Sequence, residues 1–161
     1  MPRAKQRTQE LRDHVLHVAV DMLAADGVAG LRRHFDRLEE SDDPRADVVR
    51  VIEVFRAFVR ENPMLAEVMF SRPFADFDPG PAELGAGGAV REFIVARVRR
   101  CIDAGILSGQ ETDIAHVLVA LTQGLAAQET AGWLGTSTAS VDRRWDLAID
   151  AVLDGLRGPA G

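Results

Sequence analysis

Apolar residues recur along this chain at spacings of three and four, which is the period of an amphipathic α-helix. The first apolar stripe runs from Leu11 to Leu23, and Gly27 follows it as a predicted helix end. A shorter stripe extends from Leu31 to Leu38. No segment shows the period-two alternation of a strand, and the sequence contains no internal repeat. The pattern therefore predicts an all-α fold.

Proline, glycine and capping residues divide the rest of the chain into helices. Asp43 is predicted to cap a helix that starts at Pro44 and ends at Asn62, after which Pro63 opens a short helix. Residues 71–88 combine prolines and glycines with two phenylalanines, so they are predicted to form a loop. Helix is predicted to resume after this loop.

One stretch of the chain, from Ile114 to Gln128, runs fifteen residues without a charge. Ser108–Glu111 precedes it and matches a capping box. An exposed helix needs a polar face, and this one has almost none, so it must be covered on nearly all sides. The stretch is shorter than the ~20 residues of a membrane span and carries several polar side chains, which excludes a membrane helix. It predicts the core of a dimer.

Length and composition limit the class of protein. A chain of 161 residues with 47% hydrophobic and 27% charged residues is typical of one soluble globular domain, with at most a short appendage. The single Cys101 excludes an intramolecular disulfide and lies in an apolar stripe, so we expect it to be buried rather than nucleophilic. No apolar signal region opens the chain, and a cytoplasmic location is predicted.

The net charge of −6 is unevenly distributed. The first twelve residues carry a balance of +3, so the rest of the chain sums to −9. A basic arm on an acidic body indicates one localised contact with phosphates, although a solvated, disordered terminus explains the same charges. The predicted phosphate contacts are Arg3, Lys5, Arg7 and Arg12.

Polar residues within apolar stripes suggest a small-molecule pocket. His116 and Gln123 lie seven residues apart, on one face of the uncharged helix, and each needs a hydrogen-bond partner if it is buried. A bound molecule can supply one, and so can the protein core or a dimer seam. Ligand pockets are largely apolar with few polar groups. The predicted pocket comprises Phe55, Phe58, Met64, Met69, Phe70, Phe93, His116 and Gln123.

Catalytic and metal-binding patterns are weak. His14 and His17 lie near Asp13 and Asp21 at helical spacing, but a solvated helix face explains this group better than a metal site. There is no phosphate-binding glycine loop after a strand, and no nucleophile–base arrangement can be assigned from the sequence. No metal, cofactor or enzymatic activity is predicted. An all-α enzyme that uses His116 is a minor alternative.

Several segments resemble one family. They are Val18–Gly30, Phe58–Pro63, Ser71–Pro73, Ala104–Ile106 and Gly124–Gly132. The first is similar to the opening helix of TetR-family transcriptional regulators, and the others are similar to that family's helical regulatory domain. The resemblance implies two parts, residues 1–42 as a remnant of a DNA-binding domain and residues 43–161 as a ligand-binding and dimerisation domain.

The chain departs from the family at the helix-turn-helix. Two short helices and a turn need roughly 20 residues, but only seven separate Gly27 from Phe35. The segment Leu31–Phe35 resembles the residues just after a recognition helix. Either the protein lacks its DNA-reading head, or further residues belong between Gly27 and Leu31. We favour the second explanation.

The resemblance implies a ligand-responsive, DNA-binding regulator, most simply a repressor that a small apolar or aromatic effector releases from operator DNA. The alternative is a dimeric small-molecule-binding protein without DNA-binding activity. The resemblance also implies a homodimer in which helices near 112–132 and 138–156 form a four-helix bundle. The expected interface residues are Leu118, Leu121, Leu125, Trp145, Ile149 and Val152.

Overall fold

The structure is a computed structural model that describes residues 2–70 and 81–158. This part of the chain is helical and contains no strand, which confirms the all-α prediction. The helices are α1 (Pro2–Phe35), α2 (Pro44–Glu61), α3 (Pro63–Phe70), α4 (Pro81–Asp103), α5 (Glu111–Thr130) and α6 (Thr138–Gly155).

The ends of α2 form as the sequence predicts. The Asp43 carboxylate accepts a hydrogen bond from the Ala46 amide at 3.0 Å, and Pro44, which has no amide hydrogen to satisfy, occupies the first turn. At the other end the Asn62 amide donates to the Phe58 carbonyl at 3.0 Å, and Pro63 begins α3. The two predicted boundaries are confirmed.

Helix α1 does not end at Gly27, so that predicted boundary is wrong. The helix continues through this residue to Phe35, and Gly27 lies at a close contact with α3. A Cβ at Gly27 would lie 2.5 Å from the sulfur of Met69 on α3. The glycine therefore allows α1 and α3 to approach each other, and it does not act as a helix stop.

Two further boundaries differ from the predictions. Helix α4 begins at Pro81, well before residue 89, and residues 71–80, with the predicted loop phenylalanines Phe74 and Phe77, lie outside the described part of the chain. The capping box predicted at Ser108 is wrong, because α5 begins after Gln110 without a side-chain cap.

A reciprocal capping box occurs instead at the start of α6. The Ser140 amide donates to the Ser137 hydroxyl at 3.3 Å, and the Ser137 amide donates to the Ser140 hydroxyl at 3.2 Å. Such a cap satisfies amide groups that have no partner within the helix.

The two parts of α1 differ in burial. Its last third packs into the core through Val28, Leu31 and Phe35, in contact with α2, α3 and α4. Earlier in the helix, Val18 and Met22 are exposed at 46% and 62%. By length and composition, the stretch from residue 14 to 35 is also the one described helix segment apolar enough to cross a membrane, but core helices of soluble proteins and signal sequences pass the same test.

Helix α5, which contains the uncharged stretch from Ile114 to Gln128, buries only one side within the chain. Ile114, Ala115, Leu118, Thr122 and Ala126 face the core. On the opposite side lie exposed residues that include Val117, Ala120 and Gly124. The chain by itself therefore leaves an apolar face of α5 in solvent.

Candidate functional site

A cavity of about 360 Å³ lies between helices α1 to α5. This volume falls within the ~300–1,000 Å³ range of small-molecule sites. Its wall is mostly aliphatic and aromatic. The lining residues are Val28, Leu31, Phe35, Val48, Val51, Ile52, Phe55, Met69, Phe70, Gly87, Gly88, Val90, Arg91, Ile94, Arg97, Ala115, His116, Leu118, Val119, Thr122 and Gln123.

Five of the eight predicted pocket residues lie on this wall: Phe55, Met69, Phe70, His116 and Gln123. Phe55 and Phe70 contact each other, with ring centroids 5.4 Å apart. The apolar faces of α2 and α3 carry Phe55, Met69 and Phe70, while α5 carries the two polar side chains.

The other three predicted residues do not line the cavity. Met64 is 75% exposed because it lies on the outer side of the short α3. Phe58 is buried, but it packs edge-on against His34 at 5.8 Å, one turn beyond the cavity. Phe93 stacks on Phe35 at 5.3 Å and thereby supports the wall from behind.

Hydrogen bonding assigns a role to the polar atoms of α5. The Nδ1 atom of His116 lies 2.8 Å from the Thr112 carbonyl, which can only accept, so Nδ1 carries a hydrogen and the other ring nitrogen of the neutral imidazole can accept. The Thr122 hydroxyl donates within its own helix, to the carbonyls of Leu118 at 2.9 Å and Val119 at 3.0 Å.

Arg97 on α4 is the buried charge on the cavity wall, and sequence analysis missed it. Only 6% of the residue is exposed. Its guanidinium donates to the Glu40 carboxylate and, at 3.0 Å, to the Leu38 carbonyl, and it lies 4.8 Å over the Phe93 ring. A charge spaced four residues from both Phe93 and Cys101, within an apolar stripe, was the available signal.

Arg97 belongs to a larger group of charges that ties the segment between α1 and α2 to α4. We call this group the linker cluster, and it comprises Glu40, Ser41, Asp47, Arg50, Arg97 and Arg100. Burial raises the pKa of the Asp47 carboxyl. Hydrogen bonds from the hydroxyl and amide of Ser41 and from Arg100, with the charge of Arg50, outweigh that effect and hold the pKa below its usual 3.8.

A second group of charges joins α2 to the last two helices. We call it the helix-end cluster, and it comprises Arg56, Arg60, Glu129, Asp142 and Trp145. Arg56 donates two hydrogen bonds to Glu129, at 2.8 and 3.0 Å, and the Trp145 indole donates a third at 2.7 Å. Burial raises the pKa of Glu129, but these bonds and the charge of Arg56 hold it below 4.5.

The expected interface residues fall into two groups. Leu118, Trp145 and Ile149 are at most 6% exposed, so they belong to the core of the chain itself and cannot be the main contacts of a partner. Leu121, Leu125 and Val152 are partly buried. The exposed apolar side chains of these two helices include Val117 and Leu147, which face outward.

The remaining predicted residues have simpler surroundings. Arg3, Lys5, Arg7 and Arg12 belong to the helical backbone of α1, but their side chains lie outside the described residues. Cys101 is completely buried, and this burial raises the pKa of its thiol to about 11, as expected for a packing residue. Within the described part of the chain, no three potential ligands form a metal-binding group.

These features define an all-helical domain that encloses an apolar cavity with a few polar groups on its wall. Residues 48–152 match the family model of the tetracycline repressor-like C-terminal domain. The chain therefore belongs to the TetR family, whose domains are those of regulators rather than enzymes.

One solved structure similar to this chain is that of a protein with unknown function from Rhodococcus sp. RHA1. The two chains are 25% identical with a TM-score of 0.74, over 86% of this chain and 71% of that one. No curated protein matches the sequence.

Proposed function

We propose that this chain is the sensing and dimerising part of a TetR-like transcriptional regulator that responds to a small, largely apolar effector. The cavity carries the proposal, because its volume and lining suit a small ligand and its wall includes both α1 and the regulatory helices. A ligand that prefers one arrangement of these helices shifts the population toward it. In a repressor, that arrangement is the one released from operator DNA.

Dimerisation through α5 and α6 is part of the proposal. The exposed apolar side chains at Val117 and Leu147, with small residues at Ala120 and Gly124, offer a surface for a second copy. Leu147→Arg should convert a dimer into a monomer in light scattering after gel filtration, while Leu121→Arg should weaken the dimer less. An unchanged mass for the Leu147 variant would exclude this surface.

DNA binding rests on the N-terminal part of α1 and on residues that would pack against it. The exposed apolar side chains from Val15 to Leu23 favour a helix that normally has a covering partner, which a helix-turn-helix between Gly27 and Leu31 would supply. The continuous course of α1 through these residues favours the alternative, a dimeric small-molecule-binding protein without DNA-binding activity.

One experiment distinguishes the two functions. A gel-shift titration of the protein purified from its native cells against its own upstream DNA should give a complex that an effector releases, if the proposed regulator is correct. The intact mass of the protein from its native cells complements it. A mass near 17.5 kDa together with no DNA complex would establish the small-molecule-binding protein without DNA-binding activity. A mass several kDa higher would show that the native protein contains the additional residues of a DNA-reading head.

A further inference from the structure

The charges around the cavity are not balanced. Within the linker cluster three guanidinium groups, those of Arg50, Arg97 and Arg100, meet two carboxylates, those of Glu40 and Asp47. Asp47 is 2% exposed and already accepts from two arginines and from Ser41. Of these three arginines, Arg97 lines the cavity.

A second arginine extends this positive region along the wall. Arg91 also lines the cavity, six residues before Arg97 and therefore ~9 Å away along α4. Among the described lining residues, Arg91 and Arg97 carry formal charge and no carboxylate is present. An apolar cavity with cationic groups on one helix favours a ligand with an apolar body and an anionic end.

Glu40 does not line the cavity, but it already pairs with the Arg97 guanidinium that such an anion would bind. Its carboxylate pairs with Arg97 and, at 3.5 Å, with Arg100, yet its side chain is 56% exposed. Arg97 itself is only 6% exposed. An anion that enters from the cavity would therefore compete with Glu40 for the same guanidinium.

We propose that the effector is a small apolar monocarboxylate whose acid group binds Arg97, with Arg91 adding to the attraction, and that it displaces Glu40 from Arg97. This inference rests on the proposed function of the cavity and names its ligand class. Loss of the Glu40 contact loosens the segment that joins α1 to α2. Occupation of the cavity is thereby transmitted to α1, where the DNA-reading head would be attached.

The cavity volume limits the size of the ligand. At ~30 Å³ for each water-sized group, a cavity of about 360 Å³ holds roughly a dozen non-hydrogen atoms. Decanoate has about this size. It can be compared with 1-decanol and decylamine, which share the apolar chain but end in a neutral and a cationic group.

Calorimetric titration of the whole chain with these three compounds is the first test. We expect decanoate to bind at least ~10-fold more tightly than 1-decanol, about 1.4 kcal/mol, and decylamine to bind most weakly. Equal or tighter binding of decylamine overturns the assignment of an anionic ligand. Binding of 1-decanol alone would overturn it too, while leaving an apolar effector and the proposed function intact. If none of the three binds, both proposals fail.

A variant that leaves the cavity unchanged is the sharper test. Glu40→Gln removes the competing carboxylate from an exposed position, so the affinity for decanoate should rise about 5- to 10-fold while that for 1-decanol stays the same. Glu39→Gln is the matched control, because its exposed side chain makes no contact with Arg97 among the described residues. An equal change for acid and alcohol, or no change for the acid, overturns the displacement of Glu40.

The variant Arg97→Met tests the proposed acid-binding group directly. It should reduce decanoate binding at least ~10-fold and leave 1-decanol binding within a factor of about two, provided that its circular dichroism is native. If this variant does not fold, the Glu40→Gln comparison still decides the question. Unchanged decanoate binding in a folded Arg97→Met variant would exclude Arg97 as the acid-binding group.

Discussion

The linker cluster and the helix-end cluster each stabilise an ionised carboxylate within the fold, but they do so with different numbers of arginines. Each buries a carboxylate whose pKa is held low, Asp47 in one and Glu129 in the other. Asp47 is almost completely enclosed, whereas the Glu129 side chain is 17% exposed and shares one arginine with Asp142. The first cluster has an arginine in excess. In the second, Arg56 and the more distant Arg60 balance the two carboxylates.

This difference distinguishes a cluster that can attract a ligand from one that only stabilises the fold. A balanced cluster such as that at Glu129 has its charges satisfied within the chain, and it holds α2, α5 and α6 together. A cluster with excess positive charge next to a cavity retains attraction for an external anion. The comparison therefore predicts that substitutions at Glu129 change stability, while those around Arg97 also change ligand binding.

The largest effect is expected for Asp47→Ala. Loss of this enclosed carboxylate leaves the Ser41 donors and two arginines without their shared acceptor, so the free energy of unfolding should fall by about 3–5 kcal/mol. Urea denaturation measures this change. Asp42→Ala, at an exposed neighbouring position, is the control and should stay within ~0.5 kcal/mol of wild type. A loss below that of Glu129→Ala would reverse the order of the two clusters.

Glu129→Ala should lower the free energy of unfolding by less, about 2 kcal/mol. The Trp145 indole loses its acceptor, but Arg56 keeps Asp142 and can reach water, which limits the penalty. The same denaturation experiment applies, with the exposed Glu53→Ala on α2 as control. Calorimetric titration of Glu129→Ala with decanoate should give wild-type affinity, and a changed affinity would mean that the two clusters are not independent.

Neither cluster was predicted from the sequence, although most of the fold was. Periodicity identified the buried face of α2, and capping chemistry identified Asp43 and Asn62, because these signals act over a few residues. Asp47 meets Arg100 across 53 residues of sequence. From sequence alone, a charged residue on a helix face is predicted to be exposed to solvent, because the sequence does not show how the other helices pack against it.

The cavity shows the same limit. Sequence patterns identified Phe55, Met69 and His116 as wall residues, since each interrupts or continues an apolar stripe. They also included Met64, because an apolar side chain at an exposed position of a short helix has the same spacing as a buried one. Gly27 was misinterpreted for a related reason: the contact with Met69 that explains it joins two separate helices.

Trp145→Phe tests a single contact of the helix-end cluster and should lower the free energy of unfolding by about 1–2 kcal/mol. The change removes the indole donor to Glu129 and leaves a small void, because Trp145 is 2% exposed. Trp133→Phe is the matched control, since Trp133 is 78% exposed and should be neutral. If both variants have equal stability, the indole hydrogen bond contributes nothing measurable.

Acid titration compares how much the ionised carboxylates of Asp47 and Glu129 stabilise the fold, and we expect it to give the smallest change in stability. Both have a pKa below its ordinary value in the folded chain, so each contributes stability that is complete above that value and is lost as the pH falls toward the lowered one. The loss due to Glu129 begins near pH 4.5 and that due to Asp47 near pH 3.8. Plots of unfolding free energy against pH should therefore be less steep than that of wild type from about pH 4.5 downward in Glu129→Gln, but only below about pH 3.8 in Asp47→Asn. A Glu129→Gln plot parallel to that of wild type would show that the ionised carboxylate is no better stabilised in the folded chain than in the unfolded one.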